Sequence, residues 1–402
     1  MKNYKEFGYN CLGPLLFGFT TWLKQNLLIE GINKLYFFSR DGYIMKQVFD
    51  MMYSDEQIIT YYLEVSRRSL RVPILWKDYS FDNLMTMLGP SQLITLLSVF
   101  DAVGLDITAY NHLLNKYGFD ENSFFFRDNI RRNKNLMLMY QELSEDIKAN
   151  SLKEYTFLKE YIHQVKLEGK FAIVDIGWSG GMQRFLQVVL KEMGIDAEIY
   201  GYYTGVADYY TRNIQDGMPL NLNGYLFDFY HNPKDNDLRS CFVGLYEMLF
   251  LETKGSVKRY VHSNDGSVKA ERYDYEYCIN GKMLLEVDCI KEVQTGALSY
   301  VYDKTHSCAV GFDSGNLIGP LIRAGQKPTQ QAIDLFADFR FFDEGQYSFL
   351  AKPKPLLYYL FHIDQFKADF FKSRWKTAFL KRLFCLPISY YGIYNYLKSI
   401  KN

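Results

Sequence analysis

Residues 171–187, FAIVDIGWSGGMQRFLQ, bring together an acid, a hydroxyl and two adjacent glycines where an apolar run gives way to an amphipathic one. The order predicts a buried strand ending near Asp175, a turn at Ser179-Gly180-Gly181, and a helix from Met182 onward. The first amides of such a helix have no intrahelical partner, and its dipole favours negative charge there. The expected ligand is therefore a phosphate, held by the backbone of Ser179, Gly180, Gly181, Met182 and Gln183 and by the Ser179 hydroxyl. Asp175 would then lie beside a sugar hydroxyl. Trp178 suits either packing or a lid over the sugar.

The same design occurs earlier. Residues 34–52, KLYFFSRDGYIMKQVFDMM, read as strand, polar turn and helix, with Ser39-Arg40-Asp41-Gly42-Tyr43 in the turn. A third strand-like run, Ile58 to Val65, closes on Ser66-Arg67-Arg68. Arginine forks match phosphate oxygens, so Arg40 with Arg67 or Arg68 could offset the charge of a second phosphate group. Two bland readings stand beside this: Arg40 and Asp41 as an ion pair closing the turn, and Arg67 and Arg68 as ordinary surface. Glu247 is a further acid, on a mostly apolar helical run, where local pairing is the simplest role. A strand at AEIYGYYTGVA follows the glycine turn and extends the αβ pattern. Strands of this kind lie side by side with their C-terminal turns on one edge, where ligands bind. The expected core is α/β, a mostly parallel sheet with Leu35–Phe38 and Phe171–Val174 near its centre.

The three turns, in this order, resemble those of the type I phosphoribosyltransferases. Asp175, the spacer Ile176-Gly177-Trp178 and Ser179-Gly180-Gly181 are similar to that family's ribose-phosphate loop. Val174 stands where the loop has a first acid, and Met182 where it has a closing Thr. More narrowly, GPLLFGF, YFFSRDGY, SRR and VDIGWSGGMQ resemble a bacterial family of surface-polysaccharide (capsule or O-antigen) biosynthesis, over roughly residues 12–260. Its members are often fused to hydrolases of the haloacid-dehalogenase kind. The resemblance implies a glycosyltransferase that moves 5-phosphoribosyl from phosphoribosyl pyrophosphate to a glycan hydroxyl, as precursor of a ribofuranose. The acceptor would be lipid-linked, and a separate phosphatase would remove the 5-phosphate. In that scheme Ser39, Arg40, Gly42, Tyr43, Arg67, Arg68, Trp178 and residues 179–183 bind donor, and Asp175 holds a ribose hydroxyl. Asp41 and Glu247 are both candidates for the base. Magnesium would bridge donor oxygens, with Asp41 holding one of its waters.

Two other functions compete. A phosphatase of the haloacid-dehalogenase kind would use Asp41 as nucleophile, but the second Asp it needs two residues on is Tyr43 here. A non-catalytic module binding phosphoribosyl pyrophosphate would fit the changes at Val174 and Met182.

Composition sets the frame. At 402 residues the chain is long enough for a large core. Its 46 basic residues balance 46 acidic ones, which argues against general nucleic-acid binding. Its aromatics suit sugar stacking, and equally a codon bias. Cys11, Cys241, Cys278, Cys289, Cys308 and Cys385 form no CxxC pair and read as reduced core residues. No signal peptide or spanning helix is expected, so the predicted location is cytoplasmic. Residues 1–77 would form the first part of the core, 78–165 a helical insertion, 166–215 the second part of the core, and 216–402 a mixed α/β to helical C-terminal region. GPLLFGFTTWLKQNLLIE, residues 13–30, has the spacing of an opening helix. In the tail, Lys367 to Asn402 carry eight Lys or Arg against Asp369 alone, interleaved with aromatics. Such a segment suits peripheral contact with the inner face of an anionic membrane, or docking on the core.

Overall fold

The computed structural model describes residues 3–54, 57–88, 92–214, 218–306, 314–343 and 345–401. Helix α1, Gly13–Glu30, carries Pro14 in its first turn and ends on Gly31 in the left-handed conformation. It leads into β1, Lys34–Phe38, which is followed by α2, Gly42–Tyr53. Next come β2, Ile59–Leu63, and the short helix α3, Arg67–Arg71, whose N-cap Ser66 exchanges hydrogen bonds with Ser69 in a capping box. Helix α4 (Ser144–Gln164), the last part of the expected insertion 78–165 but packed on the sheet, leads to β3, Gly169–Trp178, then α5, Gly181–Glu192. Strands β4, Ala197–Val206, and β5, Asn221–Gly224, complete a parallel sheet of order β2-β1-β3-β4-β5.

The expected parallel α/β core is present, with β1 and β3 adjacent at its centre. Both faces are buried, which is why these strands read as unbroken apolar runs. Leu35, Phe37, Ala172 and Val174 pack with Leu15, Leu16, Phe19 and Leu23 of α1 and Ile44, Val48 and Phe49 of α2. Tyr36, Phe38, Phe171 and Ile173 pack on the other face with Leu158 and Ile162 of α4 and Leu186 and Val189 of α5. Val174, where the resembling loop has its first acid, points into the α1/α2 layer.

The insertion carries its own core, from Val72 and Leu75 to Leu143 and Ile147. It is not purely helical: Leu93–Thr95 and Phe124–Phe126 pair as a small antiparallel ribbon. In the C-terminal region an antiparallel pair, Val257–His262 with Val268–Arg272, covers part of the α4 side. The long helix Leu285–His306 packs against α1, so this region shares the main core. Residues Gln330–Phe336 form a short helix after Pro328, capped by the Thr329 side chain.

One expectation is corrected, and one of two alternatives is decided. Cys241 and Cys289 are buried as expected, but Cys11 and Cys278 are only half-buried and Cys385 is exposed. Cys308 lies outside the described residues. The basic tail is docked, not free: Phe370, Trp375, Phe379, Leu380 and Leu383 are buried. Its basic groups are drawn inward as well. Lys381 Nζ donates to the Pro328 carbonyl at 2.7 Å, and Arg382 donates to Asp338 at 2.9 Å and to the Ala351 carbonyl at 2.7 Å.

Candidate functional site at the C-terminal edge of the sheet

The turns after β1 and β3 end on the same sheet edge because the two strands are adjacent and parallel. In the first turn the Ser39–Arg40 peptide is cis. The Ser39 hydroxyl donates to the Val65 carbonyl at 2.8 Å, which ties this turn to the end of β2. Gly42 opens α2 where a Cβ would lie 3.1 Å from Phe37, so helix and strand approach closely there. Tyr43 is exposed, its ring edge-on to Tyr62 at 5.7 Å. Arg40 pairs with Glu276 and donates to the Lys254 carbonyl at 3.4 Å. Burial works against the Arg40 charge, but Glu276 and Asp41 outweigh it and hold the guanidinium above its usual pKa. Glu276 comes from a distant loop, and no sequence motif announces it.

In the second turn Gly180 is left-handed, with φ 71°, and a Cβ there would lie 2.7 Å from Leu222 Cδ2. Glycine is required on both counts. At Gly181 a Cβ would make only ordinary contacts, with Asn213 and Ser179 at 3.6 Å. Asn213 Nδ2 donates to the Ser179 carbonyl at 2.8 Å and steadies the turn. No side chain caps the first turn of α5, as expected of an anion-binding terminus. The side chains of the next two residues do other work. Met182 packs against the α4/α5 layer. Gln183 is fully buried, accepting from Tyr203 Oη at 2.9 Å and donating to the Asn221 carbonyl at 3.1 Å. Only its backbone is available to a ligand.

Three acids gather near these turns. Burial pushes Asp41 up to about 7, with Glu247 and Glu276 raising it further against the pull of Arg40 and Arg67. Asp175 is held well above the usual carboxylate range by burial and by the Asp41 charge; the Ile176 amide, at 2.9 Å, and Arg67 oppose this. Burial also raises Glu247, offset by the Trp178 indole N–H, which donates to it at 2.9 Å, and by Arg239. Asp41, Asp175, Glu247 and Arg67 therefore lie within electrostatic reach of one another at the ends of β1 and β3, with Arg40 acting on Asp41.

Two sequence candidates have structural roles. Arg68 turns away and grips Glu154 of α4 with two hydrogen bonds, of 2.8 and 2.9 Å. Trp178 stacks on Phe227 at 6.0 Å, and the Arg239 guanidinium lies 3.5 Å from its ring centre. Its indole N–H fixes Glu247, so it supports the site as a packing residue. Arg239 was not legible in the sequence, being a lone arginine in an irregular stretch.

Among the described residues no group of three or more His, Cys, Asp or Glu could hold a metal ion by itself. A magnesium ion that arrives with a phosphorylated ligand needs only one or two carboxylates, often through water. Asp41 and Asp175 fit that need, because their clustered charge is of the kind a dication relieves. No protein-family model matches this chain, and no curated protein matches it.

Proposed function

We propose that this protein transfers 5-phosphoribosyl from phosphoribosyl pyrophosphate to a hydroxyl of a glycan. The observation that carries the reading is one sheet edge bearing an uncapped glycine-turn helix, two raised carboxylates and two arginines. The amides of Gly181, Met182 and Gln183 and the Ser179 hydroxyl bind the 5-phosphate. Asp175 accepts a hydrogen bond from a ribose hydroxyl. Arg40 and Arg67 stabilise the charge on the departing pyrophosphate. Magnesium, when bound with the donor, neutralises part of that charge, and Asp41 and Asp175 are the residues that would hold its waters.

In the reaction the bond from ribose C1 to pyrophosphate breaks, and its electron pair leaves with the pyrophosphate. The acceptor oxygen bonds to C1 and gives up its proton. Asp41 suits this proton better than Glu247. Its pKa of about 7 is matched to neutral pH, whereas Glu247 is engaged by the Trp178 indole. In the biosynthetic scheme a separate phosphatase then removes the 5-phosphate. With acceptor and magnesium present, the expected product is pyrophosphate. Release of inorganic phosphate instead would indicate a phosphatase, and tight donor binding without any release would indicate a binding module.

A lipid-linked acceptor calls for membrane contact, and the surface that suits it lies at the start of the tail and just before it. Phe361, Leu357, Ile363 and Leu360 are 83, 71, 63 and 61 % exposed. They lie on the consecutive helices Leu356–Phe361 and Ile363–Lys372, beside Lys352, Lys354, Lys367 and Lys372. Exposed apolar side chains on a lysine-bearing segment match an anionic leaflet, each cation near it contributing about 1 kcal/mol. No helix among the described residues is long and apolar enough to cross a membrane. Phe361→Asp with Leu357→Asp should abolish sedimentation with phosphatidylglycerol vesicles while leaving the melting temperature unchanged. Undiminished vesicle binding by this double variant would remove the surface from the account.

A further inference from the structure

Helix α3 runs from the site toward a second group of cations. Arg67 and Arg71 are one turn apart on it, and α3 packs against α5. The Arg71 guanidinium lies 4.1 Å from the centre of the Phe185 ring, and that of Arg184 lies 5.8 Å from the same ring. Arg184 is in the first turn of α5, directly after the residues of the glycine turn. Arg71 Nη1 donates to the Met87 carbonyl at 3.0 Å, but its Nε is buried and has no hydrogen-bond partner. Arg67 is exposed and lies near enough to act on Asp41 and Asp175.

Gathering guanidiniums costs free energy. Burial, and then the charges of Arg67 and Arg184, lower Arg71 to about 10, the opposite of the rise at Arg40 and Arg68, each of which has a carboxylate partner. Arg68, the neighbour of Arg67, is neutralised by Glu154, while the charges that act most strongly on Arg71 are both cationic. Guanidiniums held together beside an aromatic ring, with a buried N–H left over, match the oxygens of a phosphoryl group. We propose that Arg67, Arg71 and Arg184 form a second phosphoryl-binding site between α3 and α5, made of side chains and distinct from the amides of the glycine turn. The ligand is a phosphate or diphosphate ester. It comes either from the donor or from an acceptor that carries its own phosphate. The site deepens the transferase reading and rests on it only for the identity of the donor.

The test uses the full chain at fixed salt. Binding of phosphoribosyl pyrophosphate with magnesium is measured by calorimetry. Binding of a short alkyl diphosphate is then measured with the donor site saturated. The variants are Arg71→Gln and, because Arg71 is half-buried, the exposed Arg67→Gln as a second probe. Weakening of donor binding by tenfold or more in Arg71→Gln, and not in Arg67→Gln alone, supports the site with the donor as its source. Unchanged donor binding with a tenfold or greater loss of alkyl diphosphate binding supports it with the acceptor as the source. If the wild type binds alkyl diphosphate in an Arg71-dependent way but never binds donor, the site stands and the donor reading fails. If both variants fold and bind both probes like the wild type, the proposal is overturned.

Discussion

Asp175→Asn should lower phosphoribosyl transfer by a hundredfold or more, and the variant should melt at a higher temperature than the wild type at neutral pH. The loss of rate follows from removing the negative charge that this carboxyl presents to the ribose once magnesium and donor are bound, an effect typically worth about 2 to 4 kcal/mol in the transition state. The gain in stability follows from linkage. Burial and the Asp41 charge raise the Asp175 carboxyl in the folded protein, so the folded state binds that proton more tightly than the unfolded one. A raised carboxyl contributes stability that is fully present below its unfolded pKa and lost as pH rises through its folded pKa. For Asp41 that window runs from 3.8 to about 7, corresponding to at most about 4 kcal/mol. Asp41→Asn and Asp175→Asn should therefore both flatten the decline of the melting temperature with pH, which for Asp41 falls between 3.8 and about 7, where the folded protein keeps a proton the unfolded chain has lost. Because the two acids interact, the wild-type titration belongs to the pair. An Asn variant that melts lower than the wild type at about pH 8 would show that these carboxylates are structural.

The neighbouring arginines should separate cleanly. Arg68→Ala is expected to destabilise the protein by about 3 to 5 kcal/mol, because it strands Glu154 as a buried, unpaired charge. Replacing both partners with apolar residues of similar volume, Arg68→Met with Glu154→Leu, should recover most of the loss. Arg67→Gln, one residue earlier, should leave the denaturation midpoint unchanged and lower transfer, since its side chain is exposed and faces the acids of the site. Equal effects of the two changes on stability, measured by urea denaturation, would refute this division.

That division marks the limit of what the sequence carries. Strands β1 and β3 were legible because a strand buried on both faces leaves a continuous apolar run, and the glycine turn because only glycine accepts the backbone at 180. The convergence of Asp41, Asp175 and Arg67 was legible through the order of the strands. Arg67 and Arg68 look alike in sequence, and what separates them is a carboxylate 86 residues away. The small ribbon in the insertion was hidden because its strands are three residues long, and Leu93–Thr95 runs straight into the helix Leu96–Val103. The tail left two readings open for a related reason. A basic amphipathic helix on a membrane and one docked on carbonyls of Pro328 and Ala351 have the same pattern, and only the partners distinguish them. Gln183 shows the same limit, since its side chain belongs to the buried ends of β4 and β5 and only its amide to the turn.

The central claim is group transfer, and the mass of the acceptor tests it most directly. The full chain is incubated with phosphoribosyl pyrophosphate, magnesium and a panel of lipid-linked or synthetic glycans, with Asp175→Asn in parallel. The account predicts that one acceptor gains a single phosphopentose with the wild type and little or none with the variant. A panel left unchanged while the donor is hydrolysed to inorganic phosphate, or a variant as active as the wild type, would contradict it.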